Sequence, residues 1–192
     1  MPVAYISGAC TDPAYRNQGT MRRLLAEAHR RMYREGVMFS TLIPAEEWLK
    51  GYYARSGYAN CFSQTKKLLT ASSLPVDNFS GSLKMVEIPP ESTLCGDAFR
   101  FFDHFQSSQE AYIQHDWEDF HIILTDLQLS GGSLWGAFQE GVLSGLCFCF
   151  PEEKTLKVTE QVAVGKEVEQ AMLEYLSVSY THLRAHETTL HL

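Results

Sequence analysis

The 192-residue chain contains no apolar run approaching the roughly 18–20 residues that a membrane span requires. Its opening stretch, MPVAYISGAC, has no basic segment ahead of the apolar residues, which excludes a signal peptide there and favours the cytoplasm. Cysteine is scarce and scattered. Cys10, Cys61, Cys95, Cys147 and Cys149 form an odd set without a framework spacing, which argues against a disulfide-stapled secreted domain. Metal-ligand spacing is lacking too. Cys147 and Cys149 alternate within an apolar, strand-like run where both side chains share one face, and no other Cys or His pair stands nearby at ligand distance. Two buried thiols are expected there, and no metal.

What is present is ordinary globular material, 45% hydrophobic and 20% charged. The net charge of −7 conceals a split. Residues 1–70 carry ten Lys/Arg against five Asp/Glu, whereas residues 71–177 carry five against seventeen. Two units with different partners are implied, the first suited to an anionic ligand.

In the first unit, Val3–Cys10 reads as a buried strand, with Gly8 marking a bulge or a close backbone approach. Asp12-Pro13 signals a turn. From Thr20 to Glu35, Met21, Leu24, Leu25, Ala28 and Met32 form one helical stripe, with Arg22, Arg23, Arg30, Arg31 and Arg34 largely off it. Gly36 ends that helix. Val37–Ile43 is β-rich, and Ala45–Ser56 is a second helix with Glu46 and Glu47 in its first turn. Gly57 ends it, and Tyr58–Leu69 returns as strand. The order β-α-β-α-β implies α/β architecture with at least one parallel pairing.

Small, turn-prone residues place a boundary near 71–84. Beyond it, Leu83–Ile88 reads as strand and Asp97–Gln106 as an aromatic helix with Phe99, Phe102 and Phe105 on its core face. Asp116 is the N-cap expected for a helix Trp117–Leu129, with Asp119 at the capping-box position. Leu134–Gln139 and Val142–Phe150 flank Glu140-Gly141 as a hairpin. Thr155–Ala163 is a further strand, and Glu167–Leu176 a helix with Val168, Met172 and Leu176 inward. The order is β-α-α-β-β-β-α. Residues Val178–Thr188 resemble one reading frame of a transposase-type sequencing adapter, and 178–192 is set outside the fold as a non-native tail. The rival reading is a native tail offering His182, His186 and His191 to a metal.

The chemistry concentrates in Thr11–Leu25. A strand, a glycine-bearing turn and a helix point free backbone N–H groups at an anion. Helix N-termini hold about four unpaired N–H groups and roughly half a unit of positive charge. In Arg16-Asn17-Gln18-Gly19-Thr20-Met21, the amides of Gln18 to Met21 can converge on a pyrophosphate, and Gly19 permits close approach. Thirty-odd residues downstream stands Tyr52-Tyr53-Ala54-Arg55-Ser56-Gly57-Tyr58.

Together these two stretches resemble the acyl-CoA-binding half of the GNAT N-acetyltransferase superfamily. There the loop has the form Arg/Gln-x-x-Gly-x-Gly/Ala, and a later helix ends in a Leu-Tyr-x-x-x-Gly-Phe-like pattern. Met21 departs from the last loop position. With Tyr15-Arg16 and Arg22-Arg23-Leu24-Leu25, it is most similar to the Eis-type branch. The resemblance covers about Val3–Leu69. It implies a partial GNAT fold followed by a partial, degenerate second GNAT-like α+β unit.

It further implies acetyl-CoA as co-substrate, attacked at its thioester by a small-molecule or peptide amine, with Tyr53 protonating the departing thiolate. A phenol of pKa about 10 suits that task; core packing is the alternative role for Tyr53. The first strand is expected to offer backbone N–H groups from around Ala9, Cys10 and Thr11 to the pantetheine arm and the thioester carbonyl. Glu46, Glu47 and His29 are titratable, but solvent-facing helix positions explain them equally well, so no general base is named. A whole domain of this family places three strands and two helices ahead of the loop-bearing strand. Met1 is therefore expected to be an internal methionine of a longer enzyme, and this piece to be inactive by itself. The competing class is a non-catalytic module that holds CoA or a protein. Nucleic-acid binding through the Arg22–Arg34 face is disfavoured by the overall negative charge.

Overall fold

The computed structural model describes residues 1–62, 83–110, 112–152 and 155–187, with side chains described as far as Ser179. The chain divides into two compact units, Met1–Lys67 and Leu68–Leu192.

In the first unit, β1 (Val3–Tyr5) leads through a single 3-10 turn (Pro13–Tyr15) into α1 (Thr20–Arg34), followed by β2 (Phe39–Thr41) and α2 (Glu47–Ala54). β1 and β2 pair in parallel, Val3 opposite Phe39 and Tyr5 opposite Thr41, as the β-α-β order requires. One more bond, Ile6 N–H to the Thr41 carbonyl at 2.9 Å, extends the pairing before the chain leaves the sheet. The expected strand Val3–Cys10 is thus cut short. Gly8 takes φ +62°, outside the extended range of a regular strand, and Ala9–Thr11 lie in loop. Residues 58–62 likewise form no strand, and the rest of the expected strand Tyr58–Leu69 lies outside the described residues.

Helix α1 presents its five arginines to solvent, as the pattern predicts, but its apolar stripe is narrower than expected. Leu25 is buried, whereas Leu24 is 58% exposed. Gly36 ends the helix at φ +78° while Glu35, Gly36 and Val37 donate back to the last carbonyls. In α2, Glu47 occupies the first turn and pairs with Lys50; Glu46 is the N-cap rather than a first-turn residue, and its side chain caps nothing.

The second unit is a four-stranded antiparallel sheet, β3 (Leu83–Glu87), β4 (Ser133–Gln139), β5 (Val142–Pro151) and β6 (Leu156–Ala163), in that spatial order. Helices α3 (Cys95–Ser107) and α4 (Trp117–Leu129) connect β3 to β4, and α5 (Lys166–Glu187) follows β6. Helix α4 opens on the expected capping box: Asp119 N–H donates to the Asp116 carboxylate at 2.9 Å, and Asp116 N–H donates back to Asp119. Glu140 and Gly141, both at positive φ, make the two-residue hairpin turn whose twist matches the flanking strands.

β5 is buried on both faces, which explains why Ser144 is the one polar residue in its run. Leu146 and Phe148 join one core with Ile88, Ala98, Phe102, Phe120 and Leu124 beneath α3 and α4. Cys147 and Cys149 face the other core, against Val168, Met172 and Leu176 of α5. Phe102 is fully buried, with Phe99 and Phe105 packed beside it. Gly132 lets α4 close down, since a Cβ there would stand 2.8 Å from the Cys149 carbonyl oxygen.

Helix α5 does not stop near Leu176. Its backbone runs unbroken through residues 178–187, the stretch set outside the fold on sequence grounds, because no Gly or Pro follows Gly165 to end it.

Candidate active site

The turn between β1 and α1 is built by its own side chains. The Asp12 carboxylate accepts from Ala14 N–H at 2.8 Å, and Tyr15 N–H bonds the Asp12 carbonyl at 2.9 Å, which fixes the single 3-10 turn. Arg16 Nε donates to the Thr11 carbonyl at 3.2 Å, and Gln18 Nε2 to the Ala14 carbonyl at 3.2 Å. Arg16 and Gln18 therefore brace the loop from within. Two left-handed residues, Asn17 at φ +61° and Gly19 at φ +73°, then turn the chain into α1.

Gly19 is the N-cap of α1, without a side chain to occupy the helix end. The first backbone bond runs from Arg23 N–H to the Gly19 carbonyl at 3.1 Å, so Thr20, Met21 and Arg22 present N–H groups that have no acceptor one turn back within the helix. No acid stands in the first turn, Arg22 and Arg23 do, and no atom comes within 4 Å of where a Gly19 Cβ would be. This is open, positively biased backbone, and it fits an anion such as a pyrophosphate. Of the expected cofactor-binding residues, Arg16, Asn17, Gln18, Gly19, Thr20 and Met21 meet in this one turn. Ala9, Cys10 and Thr11 precede it in loop, with Ala9 and Cys10 exposed.

The second unit offers a contrast at its own strand-to-helix passage. There Glu167 and Glu169 fill the first turn of α5, and neutralise the helix end with the chain's own carboxylates.

Tyr53 sits in the last turn of α2, half-buried, edge-on to Tyr52 (centroids 5.5 Å, 83°) and to Tyr58 (5.8 Å, 73°). Tyr58 is the better anchored of the three tyrosines. Its hydroxyl lies 2.7 Å from Ser40 Oγ on β2 and 3.0 Å from His29 Nε2 on α1. His29 is thus half-buried and partnered rather than solvent-facing. Sequence reasoning missed this group. The only signal was position: His29 follows Leu25 by four residues and lies on the inward side of α1.

The buried thiols fit the expectation of inert core cysteines. The neighbouring Cys149 and burial push the Cys147 thiol far above the ordinary thiol range, and burial also raises Cys95. Among the described residues, no group of three or more His, Cys, Asp or Glu side chains is arranged to hold a metal ion. No helix among them is long and apolar enough to cross a membrane.

Residues 1–61 match the family model described as an acetyltransferase (GNAT) domain, while no curated protein matches the chain. Among solved structures, 94% of the chain aligns with a GCN5-related N-acetyltransferase from Kribbella flavida, at TM-score 0.60 and 18% identity, covering 43% of that chain. A probable N-acyltransferase from Enterococcus faecalis V583 aligns at TM-score 0.66 and 15% identity, covering 45% of that chain. A GCN5-related N-acetyltransferase from Anabaena variabilis aligns at TM-score 0.65 and 15% identity, covering 46%. The chain spans less than half the length of these structures. Its fold is mixed α/β and GNAT-like, with a parallel pair in the first unit and an antiparallel sheet in the second.

Proposed function

We propose that this chain contributes the acyl-CoA grip of an N-acyltransferase that moves an acetyl group from acetyl-CoA to a small-molecule or peptide amine. One observation carries the reading: the family match over residues 1–61 falls on the turn where Gly19 opens α1 and leaves the Thr20, Met21 and Arg22 amides without partners in the helix. The departure at Met21, with Tyr15-Arg16 and Arg22-Arg23-Leu24-Leu25, supports the Eis-type branch.

In this reading acetyl-CoA supplies the activated thioester. The α1 amides and its arginine-bearing first turn hold the pyrophosphate, and Gly19 lets the phosphate oxygens approach the backbone. The Tyr53 hydroxyl holds the proton that the departing thiolate takes up once the amine nitrogen has added to the carbonyl and the C–S bond breaks. The amine loses its own proton to solvent or to a base outside the groups named here.

Titration calorimetry of the full-length enzyme that contains this chain with acetyl-CoA, followed by mass spectrometry of a primary-amine panel, tests the reading. Micromolar binding and at least one acetylated amine are the expected results. Tyr53→Phe is expected to lower turnover by about 10²-fold with acetyl-CoA affinity unchanged. Binding without any turnover would favour the non-catalytic module, and absence of both would overturn the proposal.

A further inference from the structure

We propose that Tyr58 is a positioning residue for Tyr53, held in place by His29 and Ser40. The inference rests on the reading of Tyr53 as the proton donor.

Three elements meet at the Tyr58 hydroxyl. His29 comes from α1, the helix that opens the candidate pyrophosphate turn; Ser40 comes from β2; and Tyr58 follows directly on the turn that ends α2. That turn folds back on Tyr53. Ser56 N–H (2.8 Å) and Tyr58 N–H (3.3 Å) both donate to the Tyr53 carbonyl, and Gly57, at φ +95°, supplies the left-handed step. Tyr53 is thus tied to Tyr58 twice, through its carbonyl and through an edge-on ring contact. His29 completes the stack, its ring 5.5 Å from that of Tyr58.

The hydroxyl is fully used whichever tautomer His29 takes. With Nε2 bare, Ser40 donates to Tyr58 and Tyr58 donates to His29. With Nε2 protonated, His29 donates to Tyr58 and Tyr58 donates to Ser40. In both cases swinging the Tyr58 side chain about its Cα–Cβ bond would carry the hydroxyl away and break two bonds among half-buried groups. Leu25 is the only buried apolar side chain among the described residues of this unit. The two hydroxyl contacts add a polar constraint beside the end of the eight-residue α2. A rigid Tyr58 holds the ring against which Tyr53 leans, and so sets the direction of the Tyr53 phenol.

A double-mutant cycle in the full-length enzyme that contains this chain separates this role from general stabilisation. Tyr58→Phe keeps the ring and removes only the hydroxyl. In the parent it is expected to lower kcat about tenfold, with KM for acetyl-CoA within about twofold. In the Tyr53→Phe background it is expected to have no further effect. Equal losses in both backgrounds would mean that Tyr58 only stabilises the fold, and would overturn the inference. If Tyr58→Phe unfolds the unit, Ser40→Ala removes one of the two bonds and is expected to cost about threefold in kcat with the same non-additivity.

Spectra of the chain carrying ¹³C-labelled tyrosine decide the coupling without any turnover. Tyr58→Phe and Ser40→Ala are each expected to shift the Tyr53 ring signals, and unchanged Tyr53 signals would overturn the proposal. A chain in which those signals shift but Tyr53→Phe leaves turnover intact would leave the positioning contact standing and remove the acid role from Tyr53.

Discussion

The two units bury very different amounts of side chain. Among the described residues the first keeps Leu25 inside, while Tyr5, Tyr33, Met38, Phe39, Ile43 and Trp48 are all more than half exposed. The second seals both faces of β5 and has a buried side chain in nearly every element. Their helix ends differ in the same sense. α1 opens on glycine and arginine with no side-chain cap among the described residues, whereas α5 opens on two glutamates. Among the described residues the open, positively biased helix end therefore lies in the unit with fewer buried side chains, and the better packed unit carries acids at its own. Loops on a rigid scaffold commonly carry function, but here the scaffold beside the loop is held by polar contacts such as His29–Tyr58–Ser40.

The cysteines offer the sharpest way to break that comparison. Cys10 and Cys61, in the first unit, are exposed, and Cys95, Cys147 and Cys149, in the second, are buried. Thiol labelling under native conditions is expected to modify two residues quickly and three at least about 10³-fold more slowly, since the latter wait for opening of a stable core. Labelling of all five at similar rates would erase the distinction.

A core deletion comes next in size. Phe120 is 0% exposed and contacts the rings of Phe99, Phe102 and Phe148. Phe120→Ala is expected to destabilise the second unit by about 3–5 kcal/mol in denaturant unfolding, and to accelerate labelling of the three slow thiols without altering the two fast ones. For the first unit the matching change is Gly19→Val, which forces a β-branched residue into φ +73°. It is expected to weaken acetyl-CoA binding about tenfold by calorimetry while leaving the second unit's unfolding midpoint unchanged.

The smallest effect is electrostatic. Burial raises the Glu160 carboxyl above its ordinary range, with a hydrogen bond from Gln106 and the nearby His115 pulling the other way. The folded state therefore holds that proton more tightly than the unfolded one. Stability is greatest below the ordinary carboxylate pKa and declines as pH rises through the raised value. Glu160→Gln is expected to flatten this slope, with Tm differences of about a degree or two because the residue is partly solvated.

Much of the second unit was legible because its signals are local. The capping box fixed the start of Trp117–Leu129, and Glu140-Gly141 located the hairpin. The cysteine alternation gave the two faces of β5 correctly. Readings failed where a local pattern met a backbone or tertiary constraint. Val3–Cys10 looks like one strand by composition, yet Gly8 at φ +62° ends pairing halfway. Leu24 fits the helical stripe of α1, yet is 58% exposed among the described residues. Glu46 sits just outside α2 because the helix begins two residues later than its apolar pattern suggests. At the site, the turn from Arg16 to Met21 was visible as a contiguous motif. The Tyr58 anchor was not, since its partners lie 29 and 18 residues away and nothing in the spacing connects them.

The left-handed backbone at Asn17 has a consequence for how this loop can drift over generations. Asn, Asp and Gly tolerate φ +61°, and most other residues pay a steric penalty there whether or not any ligand is present. A library randomised across positions 15–20 and selected only for soluble expression is thus expected to return position 17 as Asn, Asp or Gly, while Tyr15, 60% exposed, varies freely. Selection for binding would add its own restriction at Gly19. The two positions would then report separately, one on what the chain needs to turn and the other on what it needs to hold.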